Sequence, residues 1–316
     1  MKKYFVNELS EQMHGTINSY FAITKKQMRK TKKGKFFLAV ECIDKTGHVR
    51  GNIWDNAKTH NKKFKKGDIV NITAEVELYS GKVQLNIKKI RQAREEEYTM
   101  ADFLPAVEEN VNELSKEFIN YIETIKEPYI KKMLENIFGD QEFLKKFTKS
   151  PAAKSWHHSY LGGLLKHSLT VTRICDFVSE LYPEVNRDLL VSCAMLHDIG
   201  KVEEYHMEPF IDYTDKGSLV GHIVIGNKMV VDQCERINNF PESLKNKIQH
   251  LMLSHHGDRE KGAVVLPKIR EAILLHFADN MDAFVVGVDS LIKQAQEDKS
   301  TWTDWHTLTD RKYFTK

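Results

Sequence analysis

The feature that most constrains this chain is a set of seven histidines and aspartates on or beside apolar helical stripes: His167, His197, Asp198, His222, His255, His256 and Asp279. In the helical pattern over 161–181, His167 shares a face with Leu164, Val171, Ile174 and Val178, so its imidazole points into the domain. His197 follows Cys193 and Ala194 by one turn, near the end of an apolar run over 188–199. His255 continues a stripe made by Leu244, Ile248, Leu251 and Met252. Asp279 lies with Leu275, His276 and Ala283 in a long helical pattern over 267–293. A fold that obeys these stripes buries carboxylates and imidazoles together. Unpaired buried carboxylates are costly, so such a core needs cations. A lone buried histidine is ordinarily a hydrogen-bonded core residue. Seven ligand-type residues within 113 positions, including a His–Asp pair and a His–His pair, indicate a metal centre instead.

At 316 residues the chain is long enough for two domains with sizeable cores. Its net charge of +3 hides an asymmetry. Residues 1–94 carry 21 Lys/Arg against 8 Asp/Glu, whereas 95–316 carry 26 against 36. A basic front end on an acidic remainder points to a polyanionic partner, nucleic acid first, with a solvated lysine-rich surface as the ordinary alternative. The four cysteines, Cys42, Cys175, Cys193 and Cys234, form no C-x-x-C pair, which argues against a zinc ribbon or a disulfide framework. The start, Met1-Lys2-Lys3-Tyr4-Phe5, lacks the apolar run of a signal peptide, and no stretch is long enough to span a bilayer. The expected location is the cytoplasm, with no membrane partner.

The front end reads as strands. Phe36, Leu38, Val40 and Cys42 alternate with Lys35, Phe37, Ala39 and Glu41, then Asp44-Lys45-Thr46-Gly47 makes a turn into Val49, Gly51 and Ile53. A polar, helix-compatible stretch over 55–66 precedes two further alternating runs, 69–79 and 83–90, joined at Ser80-Gly81-Lys82. Five strands with a helical insert after the third fit a small closed barrel. The order of elements resembles the anticodon-binding OB-fold family over about 80 residues. If Phe36, Leu38 and Val40 point inward, then Phe37 points outward, with Arg50 and Trp54 leaving the barrel on the adjacent strand. Outward aromatics beside cations suit stacked single-stranded bases, although Trp54 could equally close the barrel end. Lys32, Lys33 and Lys35, with Lys25, Lys26, Arg29 and Lys30, form a dense basic segment suited to phosphates.

Glu95-Glu96-Glu97 marks the composition shift, and helical spacing over 107–126 and 128–147 predicts connecting helices bounded by Pro105 and Pro128. The expected layout is therefore multidomain: a barrel over 1–95, connecting helices over 96–155, an all-α metal-binding domain over 156–293 and a tail over 294–316. The stretch 210–220 reads as a short hairpin delivering His222, and the aromatic tail from Thr301 to Lys316 is compatible with packing on the protein or on another subunit of a homo-oligomer.

The series His167, His197-Asp198, His222, His255-His256, Asp279 resembles the two-metal pattern of HD-domain phosphohydrolases, with His197-Asp198-Ile199-Gly200-Lys201 as the signature. The resemblance covers about 156–290. It implies one metal held by His167, His197, Asp198 and Asp279, and another by Asp198, His222, His255 and His256, with Asp198 bridging. A bridging carboxylate holds two cations roughly 3.5–4 Å apart and makes a hydroxide nucleophile available at neutral pH. Mixed imidazole and carboxylate donors favour manganese, with iron or cobalt as alternatives to it, over magnesium. Lys201, four residues after His197, is placed to neutralise phosphoryl charge; at least one of His157 and His158, with His158 as the candidate, is expected near the substrate phosphate, the alternative being that both cap or brace a helix.

A barrel of this type before an HD domain is similar to the YhaM-type 3′→5′ exoribonucleases. That resemblance implies hydrolysis of single-stranded RNA from the 3′ end to 5′-mononucleotides, with single-stranded DNA as a further candidate substrate. Two other readings compete with it. An HD-type nucleotidase or cyclic-nucleotide phosphodiesterase would leave the basic barrel unexplained. A non-catalytic nucleic-acid-binding adaptor would leave the intact ligand set and Lys201 unexplained.

Overall fold

The computed structural model describes residues 2–10, 15–297 and 299–316; His14, given no role above, lies outside them. The chain forms two compact units, residues 1–106 with 206–212, and residues 107–205 with 213–316. The helices expected as connectors over 96–155 thus fall mostly in the second unit. Among the described residues no helix is long and apolar enough to cross a membrane.

The first unit is an OB-fold. Its strands are β1 (Thr16–Lys30), β2 (Phe36–Asp44), β3 (Gly47–Ile53), β4 (Ile69–Tyr79) and β5 (Lys82–Gln92), with the one-turn helix α1 (Ala57–His60) after the third. They close a barrel in the order β1-β2-β3-β5-β4. β1 pairs with β4 from Thr16 to Ala22 and with β2 from Ala22 to Lys30, with a register shift between Ile23 and Lys25 within the second pairing. Such a bulge bends one strand across two neighbours, which closure of a small barrel requires. The last seam is the parallel pairing of Arg50, Gly51 and Asn52 with Gln84, Leu85 and Asn86. Phe21, Leu38, Val40, Cys42, Ile72 and Leu85 fill the interior. The alternation in β2 holds from Leu38 onward, but Phe36 is exposed rather than inward. It lies at the hairpin end of the strand, beyond the filled interior, with the ammonium groups of Lys30 and Lys58 each 4.9 Å from its ring centroid.

The second unit is helical. Its elements are α2 (Val111–Thr124), α3 (Pro128–Phe138), α4 (Gln141–Phe147), α5 (Gly163–Leu181), α6 (Arg187–Leu196), α7 (Lys201–Glu204), α8 (Asp215–Val220), α9 (His222–Arg236), α10 (Glu242–Ser254) and α11 (Arg270–Glu297). Side-chain caps set several boundaries. Asn110 accepts from the Asn112 amide, so α2 starts later than the spacing suggested. The pattern over 128–147 is two helices, because Gly139 ends α3 and the Asp140 carboxylate accepts from the Glu142 and Phe143 amides to start α4. The stretch 210–220 is only partly a hairpin: Tyr205–His206 (β6) and Asp212–Tyr213 (β7) form a two-stranded ladder, and α8 follows, capped by the Thr214 hydroxyl. Beyond α11 the tail folds on itself through the bridges Trp302–Phe314 and His306–Arg311.

Phe118, Phe138 and Phe147 pack ring to ring at 5.1–5.4 Å and lock α2, α3 and α4 into the core that α5 and α6 continue. Phe118 is fully buried. Truncation to alanine leaves a cavity at that three-ring contact, and Phe118→Ala should lower the stability of the helical unit by about 3–5 kcal/mol, read as a lowered denaturation midpoint for the helical signal.

Candidate metal centre

The centre is built where α6 ends. Leu196 is its last residue, His197 is the C-cap, and Asp198, Ile199 and Gly200 turn the chain into α7. The turn is pressed against the start of α9: a Cβ on Gly200 would lie 2.1 Å from the His222 carbonyl oxygen and 2.6 Å from the Gly226 amide nitrogen. Only glycine permits that approach, and it sets His222 beside Asp198. His167 reaches in from α5, Asp279 from α11, and His255 and His256 from the C-terminal end of α10.

All seven ligand-type residues named from the sequence meet here, arranged about the buried Asp198 carboxylate. Its Oδ2 lies 3.3 Å from Nε2 of both His167 and His197. Its Oδ1 lies 3.5 Å from Nε2 of His222 and 3.7 Å from Nε2 of His255. Asp279 Oδ1 completes the first side at 3.2 Å from His167 Nε2. Each side forms a group able to hold a metal ion: His167, His197 and Asp279 on one, His222, His255 and His256 on the other. Asp198 Oδ1, His222 Nε2 and His255 Nε2 are buried without any hydrogen-bond partner. Buried polar atoms are nearly always satisfied, so three orphans facing one point fit a cation.

The opposite ring nitrogens show how the imidazoles are held. His197, His255 and His256 donate Nδ1–H to the backbone carbonyls of Ala194, Met252 and Lys261, each at 2.8 Å. A carbonyl only accepts, so these three rings carry a proton on Nδ1 and turn Nε2 toward the centre. His167 and His222 are backed by carboxylates instead, Asp282 at 2.6 Å and Glu204 at 3.0 Å. Sequence reasoning missed both acids. Asp282 had a signal, since it lies one turn after Asp279 on the same helix. Glu204 had none, because its placement depends on the turn between α6 and α7.

His158 and Lys201 are each held by a carboxylate of the centre. His158 is buried behind the ligands, with Nε2 2.9 Å from Asp282 and Nδ1 2.7 Å from the Tyr160 hydroxyl, so it braces the acid behind His167. The neighbouring His157 has both ring nitrogens buried without partners, its ring 5.0 Å from that of His167. Burial pushes the His157 pKa down to about 2. Lys201 donates to Asp198 Oδ2 at 2.5 Å from the first residue of α7.

Charge follows this geometry. Burial disfavours the Asp198 carboxylate, yet Lys201 and His197 outweigh it and hold its pKa well below the usual range. Asp279 is lowered likewise, burial being outweighed by His167 and His197. Burial lowers His255, and it lowers His256 to about 3, so both stay neutral. His167 moves the other way: burial opposes its charge, but Asp198, Asp279 and Asp282 raise its pKa well above the ordinary imidazole value.

In the barrel unit, Phe37 and Trp54 stack at 4.6 Å with an interplanar angle of 27°, forming one outward platform. Arg50 is exposed on β3, and Lys32 and Lys33 are exposed in the turn between β1 and β2. Lys35 is exposed as well, 3.0 Å from Asp55.

Comparison with known proteins agrees with both units. The HD domain family model matches residues 164–283, and the OB-fold nucleic acid binding domain model matches residues 22–93. A curated relative in Bacillus velezensis, named 3'-5' exoribonuclease YhaM, is 30% identical over 95% of this chain and 94% of its own length. The chain belongs to the YhaM family of 3'-5' exoribonucleases. The YhaM relative from a Geobacillus species is 32% identical over 85% of this chain and 82% of its own length. Among solved structures, the HD domain of the L. monocytogenes phosphodiesterase PgpH covers 51% of this chain and 87% of that one, at 19% identity and a TM-score of 0.29. Every ligand-type residue named above lies within the span of the HD model, and the Phe37–Trp54 platform lies within that of the OB-fold model.

Two outcomes follow for this YhaM-family centre. Asp282→Ala removes the acceptor behind His167 and should weaken metal binding by about 10–100-fold, measured by calorimetric titration. Below its raised pKa, His167 carries a proton on Nε2 that a cation must displace. Metal affinity should therefore rise with pH up to that value, and uptake below it should release a proton, seen as a heat that varies with buffer ionisation enthalpy.

Proposed function

We propose that this protein is a metal-dependent phosphodiesterase that shortens single-stranded RNA from its 3′ end and releases 5′-mononucleotides. The observation that carries this reading is the split of the Asp198 carboxylate, one oxygen toward His167 and His197 and the other toward His222 and His255. In this reading Asp198 would hold two divalent cations together with His167, His197 and Asp279 on one side and His222, His255 and His256 on the other. Bound there, the cations supply a nucleophile from water at neutral pH and neutralise phosphoryl charge. Manganese is favoured, with iron or cobalt next, because five imidazoles and two carboxylates are too nitrogen-rich for magnesium.

The remaining roles fall to groups that do not change partner during the reaction. Asp282, Glu204 and the three carbonyls hold the imidazole planes. Lys201 offsets the charge of Asp198 and keeps that carboxylate fixed. In the barrel, the Phe37–Trp54 platform takes stacked bases, and Arg50, Lys32, Lys33 and Lys35 take phosphates. Neither contact needs a 2′-hydroxyl, so the proposal extends to single-stranded DNA.

The test is an oligoribonucleotide labelled at its 5′ end, incubated with manganese, with and without chelator, beside Asp198→Ala. A metal-dependent ladder shortening from the 3′ end, lost in the variant, is expected. Turnover of mononucleotides or cyclic nucleotides with oligomers left intact would instead assign a small-nucleotide phosphohydrolase. For the barrel, Trp54→Ala should weaken RNA binding by about 1–3 kcal/mol in a titration without turnover.

A further inference from the structure

Among the described residues one face of α11 is uncovered and free of exposed charge, and α5 continues it beyond Arg173, which is paired with Glu117. Between Ile273 and Val288 the only ionised residues are Asp279 and Asp282, and both are engaged with His167. The outer stripe of α11 presents Ile273, Phe277, Met281 and Val285 at successive i, i+4 positions, all exposed. Alongside it α5 exposes Phe177 and Leu181, and Tyr182 follows. A helix on a protein surface normally turns a polar face outward. Four turns that lack one, and are enriched in aromatic residues and methionine, have the composition of an interface core. The stripe offers no cation to a phosphate, so it does not suit RNA.

The shape of the face identifies the occupant. A groove of about 290 Å³ opens between the two helices, walled by Ile174 and Val178 on one side and by Leu274, Phe277 and Met281 on the other. Two rings project from this face, Phe177 beside the groove and Phe277 from the groove's own wall, each 62% exposed. Projection and groove therefore lie on one patch, which is what a twofold axis demands: the ring of one copy enters the groove of the other, and the reverse. The exposed apolar side chains offer on the order of 700 Å² per copy, close to the roughly 800 Å² per partner of a stable interface.

We propose that the protein assembles as a homodimer through these α5–α11 faces, related by a twofold axis. The same helices hold His167 and Asp279 toward the metal centre, so the contact would brace two of the segments that carry ligands.

The full chain at micromolar concentration, examined by sedimentation equilibrium, tests this. A dimer, or a larger even assembly of dimers, is expected for the wild type. Phe277→Glu and Phe177→Glu should each lower the mass at least twofold while helix content and bound metal stay unchanged. A monomeric wild type overturns the proposal, and so does retention of the wild-type mass by both variants when folded. Should a glutamate variant fail to fold, Met281→Cys decides. The four native cysteines are buried, so a bismaleimide reports the new thiol. Cross-linking between copies supports the face, and its absence overturns it.

Discussion

The helical unit depends on one constraint, the burial of the Asp198 carboxylate among five histidines. A carboxylate withdrawn from water must be met by positive charge or it is protonated. Lys201 meets it on one oxygen, and the other faces imidazole nitrogens without a hydrogen-bond partner. That demand fixes the surrounding chain. The turn from α6 to α7 must carry glycine at 200 so that α9 can approach, and the ligand-bearing helices converge where their apolar stripes end.

The two sides of the carboxylate are alike in a second respect. Each contains one histidine backed by an acid, His167 by Asp282 and His222 by Glu204, together with histidines backed only by carbonyls. An acid behind an imidazole raises its basicity and fixes its plane, whereas a carbonyl fixes the plane alone. Asp282 serves both His167 and His158, so the segment before α5 is tied to α11 through the same oxygen that orients a ligand. The outer face of α11, meanwhile, is apolar. One helix thus joins the electrostatics of the centre to an exposed apolar surface of the unit.

The barrel contributes by different physics. Its interior follows strand alternation, and its outer surface keeps an aromatic pair and a run of lysines that the interior cannot use. Stacking and phosphate contact are tolerant of sequence, which suits a substrate taken without regard to its bases.

The sequence by itself determined the candidate ligand residues, the five strands and the helical class, because each is written in residue type and in spacing of period two or 3.6. His167, His197, His255 and Asp279 could be read as one centre from their apolar stripes, whereas Asp198, His222 and His256 joined them through the adjacent pairs and the resemblance to HD domains. Phe37 and Trp54 were both assigned outward by parity, but that their rings stack on each other was not legible. Tertiary structure alone decided which histidine of the 157–158 pair braces Asp282, that Glu204 stands behind His222, and which Asp198 oxygen faces which side. Local spacing fixes the face on which a side chain emerges, but contacts between distant segments depend on how helices cross and where turns let them approach. The break at Gly139–Asp140 and the helical 215–220 segment escaped for a similar reason, since caps made by single side chains outweigh the periodic pattern around them.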